Sequence, residues 1–239
     1  MPIGSTTRAR LRNRHIGVLV ESDYVEPELS YYQNRFAEEG ADVHLITRLW
    51  GKQTITFTGH EYHAPLEVHE DIEDYRGTGL GQLDALIVPG GFVADRLRYA
   101  ETPRSIPPAV DLLRQAFART DLVKGFACHG LMLMAACPQS MRGRRVTCHN
   151  NLVGDVRNMG AVFEDEDLIC DHDLLTVRTA SHGPLLARAV IDALDRPTPS
   201  DNTRNDRSAA TPKATRGNLA NAIREGGRPR WLTTLGGRP

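Results

Sequence analysis

The chain has 239 residues, of which 40% are hydrophobic and 25% charged, and its formal net charge is −1. That is enough apolar material for one sizeable core, and no apolar run approaches the ~20 residues that a membrane-spanning helix needs. The four cysteines, at 128, 137, 148 and 170, form no CxxC pair and no regular framework, which argues against a disulfide scaffold and for a reduced, cytoplasmic setting. The near-zero charge hides an uneven distribution. Residues 1–15 carry four arginines and no acid, residues 196–239 carry nine Lys and Arg against three acids, and the stretch between them is left at about −11. Basic ends on an acidic body most often are solvated tails. No zinc-finger, aromatic RNA-binding or recognition-helix pattern accompanies them, so nucleic acid is an unlikely partner. The basic start has no apolar segment behind it and does not read as a secretory signal.

The predicted elements alternate in type. Residues 15–20 read as a buried strand. Residues 27–40 read as a helix, with Pro27 in its first turn, Leu29, Tyr32 and Phe36 on one face, and Gly40 at its end. Residues 41–47 form a second strand. Residues 52–70 read as a β excursion with Ile55, Phe57, Leu66 and Val68 at alternating positions around a polar bend. Residues 85–88 are a buried strand ended by Pro89-Gly90-Gly91, and 107–119 an amphipathic helix. Residues 123–127 form another strand, followed at Cys128 by a tight turn and an apolar helix. Residues 144–148 and 174–177 are later strands, and 184–194 a closing helix. Three segments follow: a basic N-terminal tail (1–14), one domain (15–195), and a basic, mostly disordered extension (196–239) rich in Pro, Ser, Thr, Asn, Arg and Gly.

A βαβ rhythm of this kind implies an α/β three-layer sandwich, a mostly parallel sheet flanked by helices. Ligands of such sheets bind beyond the carboxyl ends of the strands. Four groups fall there: 21–28, Gly90-Gly91, Cys128-His129 and Cys148-His149. A cysteine lifted out of a strand–turn–helix corner faces the N–H groups of the next helix, which favour the thiolate, its reactive form. His129 beside it supplies a base, and His149 reads as a pocket-wall residue in reach of substrate. Cys148 reads as packing.

The ordered set Val88-Pro-Gly-Gly91, Ala94-Asp-Arg-Leu-Arg98, Ala127-Cys-His-Gly130, Arg142-Gly-Arg-Arg-Val-Thr147, Asn158-Met-Gly-Ala161 and Asp171-His-Asp-Leu-Leu-Thr-Val-Arg178 resembles the PfpI/ThiJ superfamily over residues 15–195. It is most similar to the PfpI cysteine peptidase branch. The resemblance implies the flavodoxin-like fold of class I glutamine amidotransferases, no cofactor and no metal. It makes Cys128 the nucleophile, His129 its base and Glu28 the buried glutamate beside the sulfur, with Glu26 the second candidate for that role. It places Asp95 where the branch has an acid reaching the histidine of a neighbouring subunit, and so implies a homo-oligomer. Gly91, after Gly90, and the His129 N–H would bind an oxyanion.

Other residues carry blander readings. Gly59-His-Glu-Tyr-His63 reads as a polar hairpin tip rather than a metal site, and His182 as a helix-start residue. Phe126, where the family has a small residue, is expected to reshape the pocket. The implied activity is attack by Cys128 on a carbonyl carbon of a small-molecule or peptide substrate. Hydrolysis of a peptide or amide leads, with glyoxalase- or deglycase-type chemistry or the hydration of a specialised metabolite beside it. The non-enzymatic alternative is a redox-sensing or chaperone-like protein in which Cys128 oxidises.

Overall fold

The computed structural model describes residues 9–195. Its centre is a seven-stranded sheet built on the apolar runs. β1 (His15–Leu19) pairs in parallel with β2 (Asp42–Thr47) on one side. On its other side it pairs in parallel with β6 (Ala85–Val88), and β6 continues to β7 (Val123–Ala127). β7 and β6 are buried along their whole length, as strands covered on both faces must be. Two short pieces extend the edges. β5 (Glu70–Asp71) joins β2 in parallel, while β10 (Leu168–Asp171) runs antiparallel to β11 (Leu174–Val177), which itself lies parallel to β7. The resulting order is β10-β11-β7-β6-β1-β2-β5.

The helices make two layers. α1 (Glu26–Glu38) turns Leu29, Tyr32 and Phe36 inward and packs against α6 (Gly183–Leu194). α2 (Ile72–Tyr75), α3 (Val93–Leu97) and α4 (Pro108–Phe117) pack together in the other layer. The excursion after β2 is an antiparallel hairpin of β3 (Ile55–Thr58) and β4 (Pro65–Val68). Ile55 faces Val68 and Phe57 faces Leu66 across it, as the alternation predicts.

Three segments depart from expectation. The predicted helix after Cys128 is a 3₁₀ stretch, Gly130–Ala136, ending at Cys137, whose backbone has left the helical region. Pro138 follows, and the residue before a proline is driven out of the helical region. The predicted strand at 144–148 shrinks to β8 (Arg145–Val146), paired in a separate two-stranded sheet with β9 (Val162–Phe163), which follows α5 (Val153–Asn158). The third departure is the start of the body. Leu11 is fully buried, Arg10 pairs with Asp192 and Asp195 at 2.8 and 3.0 Å, and Arg14 pairs with Asp84 at 3.1 Å. The compact body therefore begins before residue 15, because the arginines of this stretch meet acids of the body. The expected extension, 196–239, lies outside the described residues, as do residues 1–8 of the tail. Among the described residues no helix is long and apolar enough to cross a membrane.

Candidate active site

At the carboxyl end of β7 the chain turns at Cys128, whose φ of +55° is left-handed. A non-glycine residue holds that conformation only under local strain, which concentrates at functional corners. The turn is fixed on both sides. The Cys128 N–H donates to the Val177 carbonyl at 3.0 Å, and the Cys128 carbonyl accepts from the His149 N–H at 3.3 Å. The side chain is left half-buried.

β6 ends beside it. A Cβ added to Gly90 would stand 3.0 Å from the Cys128 Cβ and 3.1 Å from Glu28 Oε2, so only glycine leaves room for the two reactive side chains to approach. Gly91 adopts φ +72°, and an added Cβ would meet the Asp23 carbonyl at 2.8 Å. This bend aims its N–H at the cysteine sulfur, where the N–H groups of Ala180 and His129 also point.

Glu28 sits in the first turn of α1 and is buried against this corner. Its Oε2 accepts from the Gly90 N–H at 2.9 Å and its Oε1 from the Tyr32 hydroxyl, one helical turn on, at 2.7 Å. Burial is the dominant influence and pushes the carboxyl up to about 7, while the Tyr32 and Gly90 hydrogen bonds pull the other way. Burial also pushes the Cys128 thiol above its ordinary value. The charge of Glu28 adds to this, and the three backbone donors oppose it. The expectation of a resting thiolate at a helix N-terminus is thus corrected. The stretch that follows is a 3₁₀ helix rather than an α-helix, and the backbone donors at the sulfur are outweighed by burial beside a carboxylate.

Glu26, two residues earlier, faces away from the sulfur. Its carboxylate accepts the N–H groups of Glu61, Tyr62 and Ala64 at 2.9, 2.8 and 3.4 Å. It therefore holds the tip of the β3–β4 hairpin, and Glu28 alone belongs to the cysteine.

On the β11 side, the His129 and His149 rings meet edge to face with centroids 4.9 Å apart. The Asn151 side-chain oxygen lies 3.0 Å from His129 Nε2 and 2.7 Å from His149 Nδ1. Cys148 is fully buried, with its thiol pushed up to about 11 by burial, and serves packing. His182 precedes α6, with Nδ1 3.0 Å from the Thr179 hydroxyl. Phe126 does not shape the pocket, because its ring is buried against Phe117 of α4, 6.1 Å between centroids. Asp95 stays outside the cluster. It is exposed on α3 and lines an open groove with Glu21, Arg96, Arg98 and Tyr99. Among the described residues no hydrogen bond or ion pair joins its carboxylate to His129. No group of three or more His, Cys, Asp or Glu among the described residues is placed to hold a metal.

The structure thus gathers Glu28, Gly90, Gly91, Cys128, His129 and His149 at one end of the sheet. It adds three groups that the sequence reading missed: Tyr32, the Ala180 N–H and Asn151. Tyr32 was legible in principle, four residues after Glu28 on one helix face. Ala180 lies just beyond β11, where the carboxyl-end rule applies as it does to the other strands. Asn151 carried no signal.

The model of the DJ-1/PfpI family matches residues 14–193. The chain belongs to this family. Among its relatives, Protein/nucleic acid deglycase 2 of Escherichia coli (strain K12) is 28% identical over 187 residues, spanning 76% of this chain and 98% of that protein. The Putative cysteine protease YraA of Bacillus subtilis (strain 168) is 26% identical over 168 residues, 70% and 90% of the two chains. The solved structure of Schizosaccharomyces pombe DJ-1 superposes with a TM-score of 0.64 at 14% identity, covering 83% of this chain and all of that one, which places the DJ-1/PfpI fold beyond the sequence likeness. The relatives' names support an enzyme role without choosing the reaction.

Proposed function

We propose that the protein is a cysteine-dependent enzyme acting on small reactive carbonyl compounds. What carries this reading is a carboxyl poised at about 7, that of Glu28, beside a cysteine that three backbone donors surround. His129 takes the proton of Cys128 and the sulfur adds to an aldehyde carbon. The carbonyl oxygen becomes an alkoxide where the Gly91 and His129 N–H groups converge. With an α-oxoaldehyde the thiohemiacetal loses the proton on its sulfur-bearing carbon and regains one on the neighbouring carbon, which turns the adduct into a thioester of a 2-hydroxy acid. Water then cleaves the thioester, releasing the acid and restoring the thiol. A carboxyl half-protonated near neutral pH can take up the first proton and give back the second. The deglycase name of a relative supports the same chemical class.

A second reading is amide or peptide hydrolysis, in which the same adduct expels an amine protonated by His129. The oxyanion donors and the cysteine protease name of another relative favour it. The test runs a panel of α-oxoaldehydes, small amides and peptides on the wild type beside Cys128→Ala. Conversion of the α-oxoaldehyde to its 2-hydroxy acid, lost in Cys128→Ala, is the expected result. Turnover of amides alone would install the second reading, and full activity in Cys128→Ala would remove both.

A further inference from the structure

We propose that Tyr32 is a positioning residue for Glu28: its hydroxyl occupies Oε1 from inside the fold and confines the proton that Glu28 gains and loses to Oε2, the oxygen on the Cys128 side. The inference deepens the reading of Glu28 as the proton carrier beside Cys128 and rests on it.

The two oxygens of Glu28 have different surroundings. Oε2 accepts from the Gly90 N–H at 2.9 Å. It and the Cys128 Cβ lie 3.1 and 3.0 Å from one point, the place a Cβ on Gly90 would take. Oε1 accepts from the Tyr32 hydroxyl at 2.7 Å. Tyr32 is fully buried, with its ring stacked on Phe36, 6.0 Å between centroids. Its hydroxyl has no second partner among the described residues. The start of α6 closes over the pair, since a Cβ on Gly183 would stand 3.4 Å from both the Tyr32 hydroxyl and Glu28 Cγ.

The chemistry follows from the atoms. A phenol has one O–H to give. Burial first, and then the charge of Glu28, push the ionisation of Tyr32 well above its ordinary value, so it stays a donor throughout the working pH range. Were the Glu28 proton on Oε1 and aimed at Tyr32, the phenol would have to accept, and its own O–H would be left in the interior without an acceptor. The proton therefore sits on Oε2. In the proposed reaction this one oxygen takes the proton from the sulfur-bearing carbon of the adduct and returns a proton to the neighbouring carbon. The hydroxyl proton passes from the first carbon's oxygen to the second's, so the sum is an isomerisation that needs no outside oxidant or reductant. The carboxyl does not turn between the two transfers, because Tyr32 holds its other oxygen.

The test compares the wild type with Tyr32→Phe and Phe36→Leu, with thermal melting as the check on folding and Glu28→Gln to mark the carboxyl band. Infrared spectra at pH ~5, where Glu28 is protonated, read the C=O stretch of its acid form. With the proton on Oε2 the carbonyl oxygen is Oε1, so loss of the Tyr32 hydroxyl should move this band to higher wavenumber. Turnover of phenylglyoxal, an α-oxoaldehyde, should fall about fivefold in kcat in Tyr32→Phe, with KM nearly unchanged. The acidic limb of its pH profile should move upward, because a lost donor favours the neutral carboxyl. Phe36→Leu disturbs the same packing without touching the hydroxyl, and should lower the melting temperature while the band and the limb stay in place. An unmoved band in Tyr32→Phe, or a moved band with kcat and limb unchanged, overturns the role of Tyr32, as does the same band shift in Phe36→Leu. If the wild type and Cys128→Ala turn over phenylglyoxal alike, the reaction proposed above fails, and the band still decides which oxygen carries the proton.

Discussion

Two glutamates in the first turn of one helix, Glu26 and Glu28, are both buried, at 7% and 4% exposure, and end up with opposite acid–base character. Burial is the largest single influence on each and pushes both carboxyls up. At Glu26 the N–H groups of Glu61, Tyr62 and Ala64, with its own, reverse the shift and hold it at about 2. At Glu28 one N–H and one phenol do not suffice, and it rests at about 7. Burial alone therefore does not set a carboxyl's chemistry. The number of donors converging on it does. The donor-rich glutamate became a structural clamp on the hairpin tip. The donor-poor one, beside a sulfur, became a group that can gain and lose a proton near neutrality.

The largest expected effect follows from breaking the donor-poor side. Glu28→Gln should cut turnover by about 10²–10⁴-fold, the usual contribution of a proton-transfer group. It should also lower the pH midpoint of Cys128 alkylation by iodoacetamide, because the charge that raises the thiol is gone. An unchanged midpoint would show that Glu28 and Cys128 are not electrostatically linked. The same substitution should flatten a pH dependence of stability. A carboxyl raised from 4.5 to about 7 stabilises the fold fully below 4.5, and this is lost as pH rises toward 7, on the order of 3 kcal/mol across that window.

Breaking the donor-rich side should cost stability rather than chemistry. Glu26→Ala leaves three N–H groups at the hairpin tip without their acceptor, and about 2–4 kcal/mol is expected in denaturant unfolding. Its pH window is the reverse of the other. With a folded value of about 2, the contribution of Glu26 is present above 4.5 and fades as pH falls toward 2, so the variant should lose that acid dependence. A matching loss of turnover with stability intact would contradict the division of labour. The smallest effect sharpens the comparison. Tyr32→Phe removes one hydrogen bond from Glu28, which should cost about 1 kcal/mol. It should also move Glu28 further upward, readable as a rise in the pH midpoint of its titration by NMR.

Much of this was legible in the chain. The runs at 15–19, 85–88 and 123–127, apolar but for His15, Gly17, Lys124 and Gly125, could only be covered strands, and the face of Leu29, Tyr32 and Phe36 could only be an inward helix stripe. Their alternation, with Gly90-Gly91 and Cys128-His129 at strand ends, places those groups at one edge of a parallel sheet. Less legible were the segments set by neighbours far along the chain. The stretch after Cys128 has an apolar helix's composition but is a 3₁₀ helix that stops at the non-helical Cys137 before Pro138. The 144–148 run has a strand's composition, but its partner is a separate short strand, not the main sheet.

Local periodicity and the carboxyl-end rule determined the architecture and the address of the reactive cysteine, because both depend on which residues recur at fixed spacing along one segment. The tertiary structure alone decided which glutamate faces the sulfur, whether that sulfur rests as thiol or thiolate, and that His129 meets Asn151 rather than Asp95 within the chain. Those outcomes depend on burial and on hydrogen-bond partners from elements 22 to 62 residues apart, such as the Gly90 N–H on Glu28, 62 positions away, and the Asn151 side chain against His129, 22 positions away, and no spacing within a segment encodes them.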